Sequence, residues 1–204
     1  MANYSQINVK VETADPSPLA LFGLAIVTLV ASTQKMGITD GLSLVIPWAI
    51  FLGGAAQMIG CIGDYKRNNI FGATAFGAYA LFWWSVALTW MIKMGVFGEA
   101  LSKAVDIRQL GYAFAGYLIF SLFMTIGSMK NNKILFVIFV FIDLLFVGLS
   151  LSILSSGSLA EFGHHLAAYS ELMISLFSFY LSASTVLNPH FGRNILPTGK
   201  ALVH

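Results

Sequence analysis

Three polar side chains, Tyr79, Asp143 and Glu171, fall near the middle of long apolar runs that contain no lysine or arginine. Counting along each run at 1.5 Å per residue places all three within about 5 Å of mid-depth, so they are able to meet. Inside a bilayer an ionised carboxylate costs several kcal/mol unless it is hydrated or paired, so such acids are functional or tightly partnered. The alternatives are protonated acids that only hydrogen-bond neighbouring helices or, for Glu171, an acid facing water in a vestibule.

The apolar runs define the class of protein. Of 204 residues, 57% are hydrophobic and 10% are charged, whereas soluble domains carry roughly 25% charged residues. The six runs span residues 18–31, 41–63, 70–92, 110–129, 134–154 and 162–187. A helix needs about 20 apolar residues to cross a bilayer, and these runs lack the alternation of barrel strands. The sequence therefore predicts an all-α integral membrane protein with six transmembrane helices.

Basic residues in the connections predict the orientation. One face carries seven, namely Lys10, Lys66, Arg67, Lys130, Lys133, Arg193 and Lys200, and the other carries four, namely Lys35, Lys93, Lys103 and Arg108. Because cytoplasmic connections carry the excess of lysine and arginine, both termini are expected in the cytoplasm. No connection is long enough for a further domain, so we expect a cytoplasmic tail over 1–17, a transmembrane domain over 18–187 and a second cytoplasmic tail over 188–204.

The first run starts with Asp15, Pro16, Ser17 and Pro18. Proline suits the first turn of a helix, and aspartate or serine can cap the exposed N–H groups there. The segment is therefore a well-formed helix start, or a helix end whose partial positive charge helps to receive an anion. Asp15 would compete with an incoming anion for the same donors.

Two runs meet at a short polar bend over residues 64–69 and form a hairpin. Near this bend lie the small residues Gly53, Gly54, Ala55, Ala56 and Gly60. Such a face lets membrane helices approach closely. Gln57 lies among them, and a buried amide is expected to hydrogen-bond another helix or to face a polar path. The following helix presents Thr74 and Tyr79, and its aromatic residues are expected at lipid-facing and interfacial positions, namely Phe82, Trp83, Trp84 and Trp90.

Other functional classes find no support in the sequence. Cys61 is the single cysteine and is unable to form an intramolecular disulfide. His164 and His165 are adjacent and point to different helix faces, so no metal site is expected; His165 is a candidate sensor of external pH. The net charge of +2 is scattered, which argues against nucleic acid as a partner. Since no clustered nucleophile or acid–base set is present, we expect no enzyme, catalytic residue or cofactor.

Several segments, in this order and spacing, resemble the acetate uptake transporter (succinate–acetate permease) family. They are Gly-Gly-Ala-Ala-Gln at 53–57, Asp-Tyr at 64–65, Asn-Ile-Phe-Gly-Ala-Thr-Ala-Phe at 69–76, and Tyr79 with Phe82 and Trp83. Residues 15–21 resemble the family's N-P-A-P-L-G-L motif, with Asp15, Ser17 and Ala20 as departures, and residues 188–197 resemble its C-terminal tail. The resemblance covers roughly residues 15–199.

The resemblance implies a six-helix protomer in a homo-hexamer, with a path through each protomer for acetate and related small carboxylates. The narrow point of the family combines an aromatic residue, a tyrosine and a leucine, which map here to Leu24, Tyr79 and Ile142. The constriction is therefore expected to be less aromatic than the family pattern. Further residues expected to bind the substrate or support the path are Asp15, Pro16, Pro18, Gln57 and Thr74.

Proton coupling follows from combining this resemblance with the buried acids. A fixed acid repels a carboxylate, so the substrate is expected to cross as a neutral acid or together with a proton. Asp143 is predicted as the proton carrier and Glu171 as its helper. The alternative is a passive anion channel for small monocarboxylates, which would share the fold and the constriction. In either case the expected location is the cell membrane, with the lipid bilayer, protons and carboxylates as partners.

Overall fold

Six long helices form the structure, a computed structural model that describes residues 13–203. They are α1 (Ser17–Lys35), α2 (Val45–Lys66), α3 (Ile70–Lys93), α4 (Arg108–Ser128), α5 (Lys133–Leu154) and α6 (Gly157–His190). All six are long and apolar enough to cross a membrane. A five-residue helix, Glu99–Lys103, lies between α3 and α4. The predicted all-α architecture with six transmembrane helices is confirmed; the predicted N-terminal tail up to residue 12, including Lys10, lies outside the described residues.

Asparagine side chains start two of the helices. Asn69 accepts a hydrogen bond from the Gly72 N–H at 3.2 Å, and Asn132 accepts one from the Leu135 N–H at 2.9 Å. Each bond satisfies one of the N–H groups that the first turn of a helix leaves free. Both caps lie at the end of the bundle where α1 begins and α6 ends, which we call the terminal end. The other end, where α1 finishes and α6 begins, is called the opposite end.

Helix α6 packs against both α1 and α5, while α4 packs against α5, and α2 packs against α1 and α3. Serines fix α6 to α1: the Ser175 hydroxyl donates to the Ala25 carbonyl and the Ser182 hydroxyl donates to the Pro18 carbonyl, each at 2.8 Å. Small hydroxyl side chains allow membrane helices to approach closely and to hydrogen-bond across the interface. The α1–α6 pair is therefore held by backbone approach as well as by apolar packing.

The small residues of α2 receive large side chains of α3. A Cβ atom on Gly53 would lie 2.6 Å from Cγ of Trp83, and the Trp84 Nε1 donates to the Ile50 carbonyl at 3.0 Å. The contact lies in Ala49–Ala56, a π-helical segment of α2. Phe82 and Trp83 are only 6% and 4% exposed, so their predicted lipid-facing position is wrong. The Trp83 ring packs against the glycine face of α2, where larger side chains would leave no room for it.

The chain after α6 folds back onto the terminal end. Helix α6 continues to His190, three residues beyond the predicted boundary of the transmembrane domain. The Leu202 N–H donates to the Met129 carbonyl at 2.9 Å, and the Tyr180 hydroxyl donates to the Pro197 carbonyl at 2.9 Å. These bonds tie the segment 191–203 to the α4–α5 connection and to α6.

Candidate functional site

A cavity of about 260 Å³ runs from the terminal end into the bundle. Asp15, Arg67 and Asn131 line it near the terminal end, and Leu24 and Ile142 line it inside the bundle. All six long helices or their connections contribute to its wall. The cavity is therefore enclosed by this single chain.

A second cavity, of about 20 Å³, lies farther toward the opposite end. Leu24, Tyr79 and Ile142 line both cavities, and they are 8%, 6% and 4% exposed. We call these three residues the constriction. Their spacing in the sequence gives no hint of contact, yet α1, α3 and α5 bring them to one place, as the motif alignment predicts.

Tyr79 is fixed by its surroundings. Its hydroxyl lies 2.8 Å from Oγ of Ser121 on α4, and its ring stacks at 6.5 Å on Phe146. Phe120 and Phe139 contact the same ring from other sides. With its hydroxyl already bonded, Tyr79 presents an apolar ring to the two cavities.

Gln57 lines the larger cavity. Its Nε2 donates to the Gly53 carbonyl of its own helix at 2.9 Å. Of the two expected alternatives, a bond to another helix or a position facing a polar path, the structure shows Gln57 facing the cavity. Its Oε1 is buried and has no hydrogen-bond partner among residues 13–203, which leaves an acceptor in the cavity wall.

An ion pair lies at the terminal end of the cavity. Nη1 of Arg67 is 2.7 Å from Oδ1 of Asp15, and the Ser17 N–H donates to the same carboxylate oxygen at 2.9 Å. Partial burial raises the pKa of Asp15, but the Ser17 bonds and the Arg67 charge outweigh it, so the pKa lies below its usual value. Asp15 thus occupies the first-turn donor that an incoming anion would need.

The prolines of the start motif position α1 rather than line the cavity. Pro16 packs against Gly63, where an added Cβ would lie 2.6 Å from the Pro16 Cβ, and the Pro18 carbonyl accepts from Ser182. Thr74 is exposed on the outer side of α3 and lines neither cavity. The expectation that Thr74 supports the path is therefore wrong, because the cavity face of α3 is formed by Phe71, Ala75 and Tyr79.

Asp143 points toward α4 and lines neither cavity. Its Oδ2 lies 2.7 Å from Oγ1 of Thr125, while its Oδ1 is buried with no partner in the described part of the chain. The same Thr125 hydroxyl lies 3.0 Å from the Ser121 carbonyl. Asp143 is therefore connected through Thr125 to Ser121, whose side chain bonds the Tyr79 hydroxyl. Asp143 itself lines neither cavity.

Glu171 has a cationic partner. Its Oε2 lies 2.8 Å from Nζ of Lys35, with side-chain exposures of 2% for Glu171 and 16% for Lys35. The apolar runs contain no lysine or arginine, but the long Lys35 side chain reaches Glu171 from the end of α1. His164 Nε2 lies 2.8 Å from the Lys35 carbonyl, whereas His165 is exposed and lines neither cavity.

Asp64 is a cavity residue that the sequence presents in the polar bend and in the Asp-Tyr segment of the family resemblance, with no predicted role. It lines the larger cavity and is 0% exposed. It lies seven residues after Gln57, and positions seven apart share one helix face, which is the signal that could have identified it. Between residues 13 and 203 no group of three or more His, Cys, Asp or Glu side chains is placed to hold a metal ion.

A bundle of six apolar helices, with two interior cavities that share three wall residues, defines a multi-pass membrane protein. The model of the GPR1/FUN34/yaaH family matches residues 2–198, and the chain belongs to this family. The family membership confirms the resemblance seen in the motifs.

Named relatives and a solved structure agree with this assignment. The succinate-acetate/proton symporter SatP of Escherichia coli K12 is 32% identical over 189 residues, which cover 92% of this chain and 96% of SatP. Acetate permease A of Emericella nidulans is 30% identical over 141 residues, covering 66% of this chain and 47% of the permease. A solved structure described as the bacterial acetate channel SatP superposes with a TM-score of 0.83 at 31% identity, covering 92% of this chain and all of that one. The family and the solved structure are those of transport proteins, and the chain is a multi-pass protein of the cell membrane.

Proposed function

We propose that the protein carries acetate and related small carboxylates across the cell membrane through the two cavities of each protomer. The observation that carries this proposal is that Leu24, Tyr79 and Ile142 line both cavities. The names of the relatives support the substrate class, since they include a succinate-acetate symporter and an acetate permease. The cavity of about 260 Å³ is large enough for a small organic acid.

The constriction favours passage of a neutral species. Leu24 and Ile142 have no polar side-chain atom, and the Tyr79 hydroxyl is bonded to Ser121. An ion that loses its water at such a point receives no compensating hydrogen bond from these three side chains, which is costly. A carboxylic acid that keeps its proton avoids most of this cost, so net movement of the acid also moves a proton.

Asp143 is the proposed proton carrier beside this path. The Thr125 hydroxyl has one hydrogen but lies within bonding distance of two acceptors, the Ser121 carbonyl and the Asp143 carboxyl. Both bonds are satisfied when Asp143 carries a proton and donates it to Thr125. A proton on Asp143 also lowers the cost of leaving its Oδ1 buried without a partner. Glu171 is proposed as a helper, for which its bond to Lys35 has to open.

The orientation and assembly are further parts of the proposal. The lysine and arginine bias places the terminal end, with both chain termini, in the cytoplasm. The larger cavity would then face the cytoplasm. The family resemblance supports a homo-hexamer in which each protomer contains its own path, because the cavities described above are lined by a single chain.

A passive anion channel is the second candidate, and it is favoured by the description of the solved relative as an acetate channel. The two candidates differ in coupling. With an inward proton gradient, a symporter raises the labelled acetate concentration inside the vesicle above the concentration outside. A channel only lets the acetate anion distribute according to the membrane potential.

The test is uptake of labelled acetate into proteoliposomes with and without an inward proton gradient, with unlabelled acids as competitors and protein-free liposomes as the control for lipid permeation. The proposal predicts protein-dependent uptake that an inward proton gradient stimulates and that small carboxylates inhibit. Equal uptake with and without protein under every gradient would contradict transport. Uptake that follows the membrane potential alone would favour the channel.

A further inference from the structure

Asp64 is a buried acid in the wall of the larger cavity. It is 0% exposed, and within residues 13–203 neither carboxyl oxygen makes a hydrogen bond of good geometry, although the Asn69 side-chain amide lies beside the carboxyl group. A buried polar group without a partner is costly, so its presence calls for a ligand or a role. The other cavity acid, Asp15, is already bonded to Arg67 and to the Ser17 N–H.

The position of Asp64 along the cavity follows from the packing of α2 on α3. Gly53 meets Trp83 and Gly60 meets Phe76, so Gln57 lies level with Tyr79 of the constriction. Asp64 lies two helical turns farther toward the terminal end, about 10 Å along the axis at 1.5 Å per residue. The space between the constriction and the terminal end therefore contains this carboxyl group.

Few charged or titratable groups surround it. Asp15 and Arg67 line the same cavity from the start of α1 and from the bend, and Tyr79 lines it from α3. Cys61 lies one turn earlier on α2, and Gly72 of α3 packs directly against Oδ2 of Asp64. Asp143 and Glu171 line neither cavity, and each is held by a partner, Thr125 and Lys35 respectively.

From this arrangement we infer that Asp64 exchanges the proton of the transported carboxylic acid, an inference that rests on the proposed function. An acid that has crossed the constriction meets the Asp64 carboxylate. The O–H bond of the acid breaks, an O–H bond forms on Asp64, and the substrate becomes a carboxylate. The carboxylate leaves past the Arg67 guanidinium, and the proton then passes from Asp64 to water at the terminal end. Movement in the other direction reverses each step.

The first test compares Asp64→Asn with Asp40→Asn, which makes the same chemical change at an exposed loop residue outside both cavities. Labelled acetate exchange is measured in proteoliposomes with equal acetate and equal pH on both sides, over a series of pH values. Because a positioned acid–base group contributes at least about 100-fold, D64N is expected to exchange roughly 100-fold more slowly, while D40N matches the unmodified protein. The pH dependence of exchange is expected to change in D64N alone.

Exchange by D64N that equals D40N at every pH would overturn the inference, and so would a loss that appears in Asp143→Asn but not in D64N. These outcomes leave the proposed function intact, whereas absence of acetate flux in the unmodified protein would overturn the proposed function itself.

A second measurement needs no variant and stays informative if D64N fails to fold. The unmodified protein is treated with dicyclohexylcarbodiimide, which attacks protonated carboxyl groups in apolar surroundings, and the adducts are located by mass spectrometry. An adduct on Asp64 that acetate suppresses is expected. Absence of an adduct on Asp64, or labelling that acetate leaves unchanged, would contradict the inference.

Discussion

At the scale of single residues, Tyr79 is the constriction residue whose position is held most firmly by its neighbours. Its ring is packed among Phe120, Phe139 and Phe146, and its hydroxyl is bonded to Ser121. Both features hold the ring in one position between the cavities. Removing the ring is therefore expected to change which solutes pass, whereas removing the hydroxyl leaves the ring in place.

Tyr79→Ala is expected to widen the constriction and to broaden the range of accepted acids. Truncation of a large buried side chain also costs roughly 3–5 kcal/mol of stability, so the yield of folded protein is measured in parallel. The assay is inhibition of labelled acetate uptake by unlabelled acids of increasing size. Tyr79→Phe is the matched control and is expected to keep the size limit. An unchanged size limit in Tyr79→Ala would exclude Tyr79 from the constriction.

Lys35 and the buried Glu171 form a partly buried ion pair whose two single variants are expected to be less stable than the parent. Breaking a buried pair from one side leaves an uncompensated charge and costs roughly 3–5 kcal/mol. Lys35→Met leaves the acid alone and Glu171→Gln leaves the ammonium with a neutral partner, so both are expected to unfold at a lower temperature in detergent. The double variant is expected to recover part of the loss. Additive losses in the double variant would show that the 2.8 Å contact carries no coupling energy.

The site residues show what a sequence can and what it is unable to predict. The motif alignment predicts that Leu24, Tyr79 and Ile142 meet, and the structure places them together. The Lys35–Glu171 pair escapes prediction because it depends on how far a lysine at a helix end reaches back along its neighbour. Thr74 and Asp64 illustrate a similar limit. Packing sets the rotation of α3 about its axis, which turns Thr74 outward, and the rotation of α2, which turns Asp64 into the cavity.

At the scale of elements, the α2–α3 hairpin supplies Gln57, Tyr79 and Phe82 to the cavity walls near the constriction. Gly53 and Gly60 allow Trp83 and Phe76 of α3 to approach the α2 backbone. The short distance between α2 and α3 therefore depends on glycine, which has no Cβ atom, at these positions of α2. The sequence predicts the close approach but misses its consequence, which is that Trp83 turns into the bundle.

Gly53→Ala is expected to destabilise the hairpin, because the new Cβ would lie 2.6 Å from Cγ of Trp83. Forcing an extra carbon into a packed contact costs roughly 1–3 kcal/mol. Gly116→Ala on α4 is the matched control, since a Cβ there meets no atom within 4 Å, and alanine favours the helix over glycine by up to about 1 kcal/mol. The unfolding temperature in detergent distinguishes them. Equal stability of Gly53→Ala and the parent would contradict the tight α2–α3 contact.

Helix boundaries mark the limit of prediction for the elements. Hydropathy predicts all six helices, but it ends the first at residue 31 and begins the last at 162, whereas α1 continues to Lys35 and α6 begins at Gly157. The last turn of α1 and the first turn of α6 contain polar residues, which do not extend an apolar run. Hydropathy therefore underestimates the lengths of these two helices. The return of residues 191–203 onto Met129 and Tyr180 depends on individual hydrogen bonds and leaves no periodic signal.

At the scale of the whole molecule, the bundle encloses a large cavity toward the terminal end and a small one beyond the constriction. Of these two cavities, the one on the terminal side of the constriction is the larger, about 260 Å³ against about 20 Å³. Passage of a solute then requires the constriction to widen. We propose that the transported acid passes between Leu24, Tyr79 and Ile142.

The most direct test of that claim places a cysteine at Leu24 in a protein whose buried native thiol, Cys61, is replaced by alanine. Labelled acetate uptake into proteoliposomes is measured before and after treatment with a small methanethiosulfonate reagent. The control is a cysteine at Thr74, which is exposed on the outer side of α3. Modification is expected to block uptake by Leu24→Cys, acetate is expected to slow the block, and Thr74→Cys is expected to be unaffected. Full uptake by the modified Leu24→Cys protein would contradict a path through the constriction.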